Sequence, residues 1–304
     1  MSPSPQKIIP HLWFDHQAEE AAHFYTSLFD HSSTGRVTRY GKEGFEIHGQ
    51  PEGRVMVVDF TLGGYHMIAL NGGPLFTFTP AISFFVTCES AQEIDTLWQR
   101  LSDGGVALMA LDRYPWSERY GWVQDRYGLS WQLTLGKGSE GGQKITPALM
   151  FVGAQNGRAE EAMQLYTSLI RNSAIVNIVR APSGPAAGTV QYATFTLHGE
   201  QFIAMDSDGP HQFTFNEAVS LLVQCESQDE IDFLWDRLSE GGDAKAQACG
   251  WLKDKFGVSW QITPREVSEM LQDPDPTRVG RVMKSFLKMK KIDLDALRRA
   301  YNWE

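Results

Sequence analysis

The chain has 304 residues, of which 42% are hydrophobic and 12% aromatic, as expected of a folded protein with room for two domains. Its formal charge of −10 argues against nucleic-acid binding, because a protein that neutralises phosphates needs a basic surface. Three cysteines do not make a disulfide framework, and no apolar run is long enough to span a bilayer. We therefore expect a cytoplasmic protein that contacts no membrane.

The first segment predicts a βαβββ unit. Asp15 is placed to cap a helix whose apolar residues recur at helical spacing, and Gly63-Gly64 joins two strands as a hairpin. The predicted elements are, in chain order, the strand Lys7–Phe14, the helix Ala18–Phe29 and the strands Val37–Tyr40, Val55–Leu62 and Tyr65–Leu70.

The next segment predicts a second unit of the same kind. Ser90 and Glu93 form a capping box at the start of its helix. The stretch Leu111–Tyr120 mixes aromatic and charged residues, including Tyr114 and Trp116, and predicts a loop that covers a functional site. The predicted strands of this unit are Ala81–Thr87, Val106–Ala110, Tyr120–Gln124 and Ser130–Leu135.

The second half repeats the first. Cys88–Gly105 returns as Cys225–Gly242 with 13 of 18 paired positions identical, and the D-x-[YF]-G-x-S-W-Q sequence of Asp125–Gln132 returns at Asp254–Gln261. Agreement in one register indicates an internal duplication, so we predict an α+β fold of four βαβββ units. The predicted domains are 7–135 and 144–263, with a glycine-rich linker at 136–143 and a helical C-terminal extension at 264–304.

The C-terminal extension predicts helices only. Asp275 precedes Pro276, which suits the first position of a helix with one apolar face. We assign Lys288, Lys290 and Lys291 to the last turn of this helix, where cations interact favourably with the helix dipole. The alternative is a basic patch that docks a partner.

Three motifs recur in both halves: the opening K-I-x-P, an A-E-E-A helix and the closing G-x-S-W-Q, which begin at Lys7, Ala18 and Gly128 in the first half. Together they resemble the vicinal oxygen chelate superfamily of glyoxalases, bleomycin-resistance proteins and extradiol dioxygenases. Within it they resemble the PhnB-like branch, whose members have been labelled 3-demethylubiquinone-9 3-methyltransferases. The resemblance implies two glyoxalase-like domains in an internal pseudo-dimer. Whether each cup-shaped site lies within one half or across halves stays open, as does a further homodimer.

The resemblance also implies metal ligands of the His, Glu and Gln types on the first and last strands of each unit. Matching the strands leaves His11 and Gln132 in one cup and Gln261 in the other. We therefore expect no metal cofactor, with a divalent ion held by His11 and Gln132 as the alternative. Four of the matched positions carry alanine, which supplies no donor atom: Ala69, Ala81, Ala204 and Ala218.

Aromatic residues near these positions predict a cup for a flat or cationic guest. Trp13, Trp122 and Trp251 belong to this aromatic set. Gln132 and Gln261 must hydrogen-bond either a neighbour or a ligand, because they point inward.

Other conspicuous residues have structural interpretations. Trp131 and Trp260 point to the opposite face of their strands and are assigned to the core. Cys88 and Cys225 are assigned to buried positions, since no histidine is near them in sequence to lower a thiol pKa. His66 alternates out of phase with the matched alanine on its strand and is assigned to the other face.

The preferred function is a metal-free small-molecule binding protein of the sequestering or resistance type. Its predicted ligand-binding residues are His11, Trp13, Tyr114, Trp116, Trp122, Gln132, Trp251 and Gln261. The alternatives are a metal-dependent lyase, isomerase or dioxygenase-type enzyme, whose catalytic residues the sequence does not identify, and a non-catalytic protein that docks a partner through its tail. We do not expect methyltransferase chemistry, because no glycine-rich strand-to-helix turn for S-adenosylmethionine stands out.

Overall fold

Two sheets carry the fold, and each contains strands from both halves of the chain. The structure is a computed structural model that describes residues 6–137 and 142–303, so residues 138–141 of the predicted linker lie outside the described residues. The strands are β1 (Ile8–Phe14), β2 (Ser33–Arg39), β3 (Val55–Leu62), β4 (Tyr65–Asn71), β5 (Ile82–Cys88), β6 (Val106–Tyr114), β7 (Ser117–Gln124), β8 (Ser130–Leu135), β9 (Ile145–Val152), β10 (Ala174–Arg180), β11 (Val190–Leu197), β12 (Glu200–Ser207), β13 (Val219–Cys225), β14 (Trp251–Lys253) and β15 (Ser259–Pro264). The helices are α1 (Ala18–Thr26), α2 (Phe45–His48), α3 (Ala91–Ser102), α4 (Ala159–Leu169), α5 (Gln228–Ser239), α6 (Arg265–Met270), α7 (Pro276–Phe286) and α8 (Leu294–Asn302).

The sheets pair units from opposite halves. The seven-stranded sheet has the order β14-β15-β13-β1-β4-β3-β2, and the eight-stranded sheet has the order β10-β11-β12-β9-β5-β8-β7-β6. The units meet in each sheet through an antiparallel pair, β1 with β13 and β5 with β9. The first unit therefore shares a sheet with the fourth, and the second shares a sheet with the third. This exchange is how the duplicated chain forms its internal pseudo-dimer.

The fourth unit has one strand fewer than the other three. A short 3-10 helix, Ala244–Ala246, precedes the three-residue strand β14, whereas the second unit has the long strands β6 and β7 at this place. The predicted loop over Leu111–Tyr120 is wrong, because these residues extend β6 and β7 to a tight turn between Tyr114 and Ser117. Irregular register along this hairpin disturbs the period-two alternation that would have indicated strands.

Two equivalent lysines connect the paired units. Lys7, next to the first strand, forms an ion pair with Glu230 of α5 at 2.6 Å, and its side chain is 13% exposed. Lys144 of the third unit forms the equivalent pair with Glu93 of α3. The lysine of the repeated K-I-x-P motif therefore contacts the helix of the partner unit in its own sheet, which lies in the other half of the chain.

The start of α1 differs from the prediction. No side chain just before the helix caps it, so the cap predicted at Asp15 is wrong. Instead the Asn71 side chain, 53 residues away on β4, accepts a hydrogen bond from the Ala18 N–H at 2.8 Å. Because Asn71 lies so far along the chain from α1, no sequence pattern near the helix indicates this cap. The cap predicted at Ser90 is confirmed, since its hydroxyl accepts from the Glu93 N–H at 3.2 Å.

The closing motif of each half is structural. Asp125 accepts hydrogen bonds from the Tyr25 hydroxyl at 2.7 Å and from the Trp131 indole at 2.9 Å, and Asp254 repeats both contacts in the second half. Trp131 is fully buried in the main core, so its assignment as a core anchor is confirmed. The aspartate ties the loop before the last strand to the helix at the start of another unit.

The C-terminal extension packs on the fold. Helix α7 ends at Phe286, so the assignment of Lys288, Lys290 and Lys291 to its last turn is wrong. Lys291 forms an ion pair with Asp232 on α5 at 2.8 Å, whereas Lys288 and Lys290 are exposed. No helix in the two described ranges has the length and hydropathy that a membrane span requires.

The extension contacts both edges of the seven-stranded sheet. Just before β14, the N–H groups of Cys249 and Gly250 donate to the carbonyls of Met289 and Lys290 at 2.8 and 2.7 Å. At the opposite edge, Leu287 packs so closely on Gly44, in the β2–β3 connection, that a Cβ atom at this glycine would meet its Cδ1 at 2.3 Å. The extension therefore contacts the segment before β14 and the connection after β2, which belong to the two edge strands of this sheet.

Candidate functional site

Each sheet packs one face against helices and turns the opposite face away from them. In β1, Ile8 and Leu12 belong to the main core, whereas Ile9 and His11 point to the opposite face because side chains alternate along a strand. We call this opposite face of the seven-stranded sheet the first cup, and the corresponding face of the eight-stranded sheet the second cup. Both cups contain strands from the two halves of the chain.

A row of side chains crosses the first cup from strand to strand. The strand register sets these residues side by side: Asp59, Ile68, His11, Ser220, Ser259 and Lys253. The equivalent row of the second cup is Thr194, Ile203, Ala148, Ser83, Ser130 and Gln124. All three ionisable residues of the first row thus have neutral counterparts in the second. The two cups have different chemistry.

His11 is buried beside two tryptophans. It is 6% exposed, and its ring lies 5.6 Å from the Trp251 ring and perpendicular to it, while Trp251 lies 6.0 Å from Trp13. Burial lowers the pKa of His11 to about 4, and the charge of Asp59 opposes this shift to a smaller extent. The imidazole is therefore neutral near physiological pH. Its Nδ1 atom has no hydrogen-bond partner within the described residues.

The rest of the first cup is polar at its base. The Gln261 side chain donates a hydrogen bond to the Ser220 hydroxyl at 2.9 Å. Ser259, in the row next to Ser220, is 1% exposed, and its hydroxyl has no partner among the described residues. The base of this cup therefore contains neutral hydrogen-bonding groups, two of them unsatisfied.

The polar groups of the second cup are paired with one another. The Gln132 side chain donates to the Ser83 hydroxyl at 2.8 Å and accepts from the Tyr120 hydroxyl. The Trp122 indole donates to the Ser130 hydroxyl at 2.7 Å. The sequence allowed either a neighbouring residue or a ligand as the partner of Gln132, and in the structure this side chain bonds to neighbouring residues.

Aromatic and methionine side chains surround this base. Tyr120 and Trp122 form a buried cluster with Met150, and Tyr114 packs against the cluster. At the tip of the β6–β7 hairpin, Tyr114 and Trp116 stack with their ring centres 5.1 Å apart, and Trp116 is 61% exposed. The hairpin thus places an exposed aromatic stack beside the second cup.

The predicted site residues divide between the two cups. His11, Trp13, Trp251 and Gln261 lie in the first cup, and Tyr114, Trp116, Trp122 and Gln132 lie in the second. The metal pair of His11 and Gln132 is therefore wrong as a shared site, because the exchange of units puts these residues on different sheets. His11 shares its cup with Gln261 instead.

The alanine positions do not lie where the strand matching placed them. Ala69 and Ala204 belong to the main core, on the helix side of their strands, and the residues beside His11 and Ala148 are Ile68 and Ile203. The matching was one residue out of register on these inner strands, where a single step exchanges the two faces. The other two alanines, Ala81 and Ala218, precede β5 and β13.

His66 lies on the face opposite the matched alanine, but that face is the cup. Its Nε2 atom lies 3.0 Å from a carboxylate oxygen of Asp59. Three further residues of the cups were not predicted from the sequence: Lys253, Ser259 and Tyr120. The signal for Ser259 was its position two residues before Gln261, which puts both side chains on one face of β15.

The first cup supplies few ligands for a metal ion. His11 is flanked in its row by Ile68, which has no donor atom, and by Ser220, whose hydroxyl already accepts from Gln261. Across residues 6–137 and 142–303, no group of three or more His, Cys, Asp or Glu side chains could hold a metal ion. The donor set does not fit a protein-held divalent ion, which usually takes three or four strong ligands.

The two repeated cysteines are poor nucleophiles. Cys88 and Cys225 are buried, and burial raises the pKa of Cys88 to about 12 and that of Cys225 further. Because the thiolate is the reactive form, both thiols are inert near neutral pH.

Comparison with known proteins places this geometry in a family. The family model described as 3-demethylubiquinone-9 3-methyltransferase matches residues 6–134 and 143–263. The chain belongs to this family. The two matches, one in each half, make it a tandem member.

Individual relatives cover one half or most of the chain. An uncharacterised protein of Mycobacterium tuberculosis, Rv0887c, is 30% identical over 135 residues, which are 41% of this chain and 72% of that protein. A PhnB protein from Bacillus cereus, described as a candidate 3-demethylubiquinone-9 3-methyltransferase, is 46% identical over 43% of this chain and 100% of its own, with a TM-score of 0.40. Glyoxalase I from Zea mays is 10% identical, covers 84% of this chain and 90% of its own, and has a TM-score of 0.52. At that identity the likeness to glyoxalase I shows the fold alone.

Proposed function

We propose that the protein binds a flat, largely apolar small molecule in the second cup and sequesters it without chemical conversion. The observation that carries this proposal is the aromatic stack of Tyr114 and Trp116 beside a cup whose polar groups are already paired. Because the polar groups at the bottom of this cup already bond to one another, the cup offers its ligand a complementary shape and an apolar surface rather than hydrogen bonds.

The chemistry of the second cup supports binding rather than catalysis. In its row the ionisable residues of the first cup are replaced by Thr194, Ala148 and Gln124. Tyr120 is its nearest titratable group to the base, and burial raises the pKa of this tyrosine well above its ordinary value. An effective general acid or base needs a pKa near the working pH, which Tyr120 lacks.

We propose no cofactor. The family description names a methyltransferase, but within residues 6–137 and 142–303 no turn from a strand to a helix has the G-x-G-x-x-G spacing of a nucleotide-binding turn that would cradle S-adenosylmethionine. The alternative enzyme would use a divalent ion at His11 and Gln261 in the first cup, and the free Nδ1 of His11 is the observation that favours it. Elemental analysis of the purified protein after exposure to divalent metals separates the two, since one retained ion per chain would support the enzyme. Buried free thiols suit a cytoplasmic location, which we also propose.

A ligand screen with matched variants tests the binding proposal. Planar heteroaromatic compounds are screened by thermal shift on the full chain, and each hit is titrated against Trp116→Ala and Trp303→Ala. Trp303 is 74% exposed and lies at the far end of the extension, so it is the matched control. We expect Trp116→Ala to weaken binding by about tenfold, since an aromatic contact contributes roughly 0.5–1.5 kcal/mol beyond its buried area.

Trp303→Ala should leave the affinity unchanged, and mass spectrometry should recover each compound unaltered. Hits that bind Trp116→Ala and the wild type equally would refute the location of the site. Conversion of a compound would refute sequestration.

A further inference from the structure

Among the residues that the structure describes, the first cup carries two buried polar atoms without hydrogen-bond partners, and the equivalent positions of the second cup carry none. These atoms are Nδ1 of His11, which is 6% exposed, and Oγ of Ser259, which is 1% exposed. In the second cup Ala148 replaces the histidine, and Ser130, the counterpart of Ser259, accepts from the Trp122 indole at 2.7 Å. Trp251, the counterpart of Trp122, packs on His11 instead.

An unpaired buried polar group is costly, and native proteins keep such groups where a ligand or water completes them. Both side chains sit on the cup face, because their strand neighbours Leu12 and Trp260 belong to the main core. A neutral imidazole can donate or accept through Nδ1 according to its tautomer, and a serine hydroxyl can do both. Hydrogen-bonding groups of a guest would therefore satisfy both atoms.

The guest carries no net charge. Lys253 at one end of the row is paired with Glu217 at 2.9 Å, and Asp59 towards the other end is paired with His66 at 3.0 Å. Since Lys253 and Asp59 of the row already have these partners, an ionised ligand beside His11 would lose its hydration without gaining either of them as a free counter-charge.

The two anchors also define the shape of the guest. His11 and Ser259 lie on strands separated by β13, so their backbones are roughly 10 Å apart at the usual strand spacing. Trp13 and Trp251 stand beside His11 as an aromatic wall. A flat ring with a polar group at each end matches this arrangement.

We propose that the first cup is a second binding site, distinct from the aromatic second cup, for a small uncharged molecule with hydrogen-bonding groups such as amide and hydroxyl at opposite ends of a flat ring. His11 and Ser259 are its anchors. The protein then holds two different ligands on one duplicated scaffold, because the copies diverged at His11 and Ala148 and at Asp59 and Thr194.

The test uses the full chain labelled with nitrogen-15 at its eight histidines, with His11 assigned from the signals lost in His11→Ala. The probe is 4-hydroxybenzamide, and the comparators are 4-methylbenzamide, which lacks the second polar group, and the anion benzoate. The variants are Ser259→Ala and its matched control Ser130→Ala, with circular dichroism confirming that each is folded. Should His11→Ala not fold, His11→Gln provides the assignment.

We expect 4-hydroxybenzamide to shift the His11 signals in a saturable way. Ser259→Ala should weaken this binding by about five- to tenfold, the effect of one hydrogen bond, and Ser130→Ala should leave it within about twofold. Both comparators should bind at least about fivefold more weakly than the probe. The proposal is overturned if the His11 signals do not respond, if the two serine variants behave alike, or if benzoate binds as well as the probe. None of these outcomes depends on Trp116, so the two sites are tested separately.

Discussion

Glu200 lies at a junction between the two halves of the chain, where its ionisation opposes folding. One carboxylate oxygen accepts hydrogen bonds from the N–H groups of Lys7 and Ile8 at 2.7 and 3.0 Å, and the other has no partner within the described residues. The pKa of the nearby Tyr65 hydroxyl is raised by burial and, to a smaller extent, by the charge of Glu200, and this hydroxyl also has no hydrogen-bond partner in the part of the chain that the structure describes. Burial raises the pKa of Glu200 from 4.5 to about 7, although both backbone hydrogen bonds oppose the shift.

The sign of the effect on stability follows from this shift. Below about pH 4.5 the carboxyl is protonated in both states, so it does not affect the free energy of unfolding. Between about pH 4.5 and pH 7 the unfolded chain loses this proton while the folded protein keeps it, and stability falls by about 1.4 kcal/mol per pH unit. Above about pH 7 the cost is complete at roughly 3 kcal/mol, an upper value because the group is partly exposed.

Glu200→Gln removes the titration and keeps an oxygen that accepts from Lys7 and Ile8. We expect the variant to match the wild type at about pH 4.5 and to be more stable by about 2–3 kcal/mol at about pH 8, measured by urea unfolding at both values. The exposed residue Glu240 provides the matched control, and Glu240→Gln should not change the pH dependence. A Glu200→Gln variant that is no more stable at the higher pH, or equally stabilised at both, would refute the reasoning.

Three other expectations concern the core, the extension and the thiols. Asp254→Ala should lower the free energy of unfolding, measured in urea, by about 3–5 kcal/mol, because it leaves four buried donors without their acceptor. A decrease of less than about 1 kcal/mol would contradict the structural role of the closing motif. Truncation after Pro264 should prevent folding as judged by circular dichroism, because the extension buries six apolar side chains. At about 1.5–3 kcal/mol each, their burial is comparable with the whole stability of a domain. Charge reversal at Lys288 and Lys290 should leave the fold intact. Half-buried Cys249 should react with a thiol reagent well before Cys88, whose pKa burial raises to about 12; equal rates would show that the first strand of the second unit opens readily.

Truncation therefore cannot separate a docking tail from a structural one. Val282, Ile292 and Leu297 of the extension are fully buried, so its removal would damage the fold together with any docking surface. The exposed residues Lys288 and Lys290 offer the cleaner test, because their reversal removes the basic patch and no buried contact. Loss of a partner in that variant alone would support the docking interpretation.

Three features could be predicted from the sequence: the duplication, the order of most strands and helices, and the core positions of Trp131 and Trp260. These features depend on local periodicity and on repetition, which a single chain displays directly. The core position of Trp131 and the cap at Ser90 followed from neighbours within a few residues. The local pattern was insufficient at Asp15, because the group that caps α1 is Asn71 on a strand far along the chain.

Which residues share a cup depends on strand pairing between distant parts of the chain. Strands β5 and β13 occupy equivalent places in the repeat, so by local pattern β1 could pair with either. The ion pair of Lys7 with Glu230 does not distinguish them, because Glu93 offers the equivalent carboxylate beside β5, so the choice of β13 depends on long-range packing. That choice puts His11 with Gln261 rather than with Gln132. The register of β1 with β4 was also set by long-range pairing. It turns Ala69 to the core and leaves Ile68 beside His11, because in a strand a single step exchanges the buried face for the face of the site.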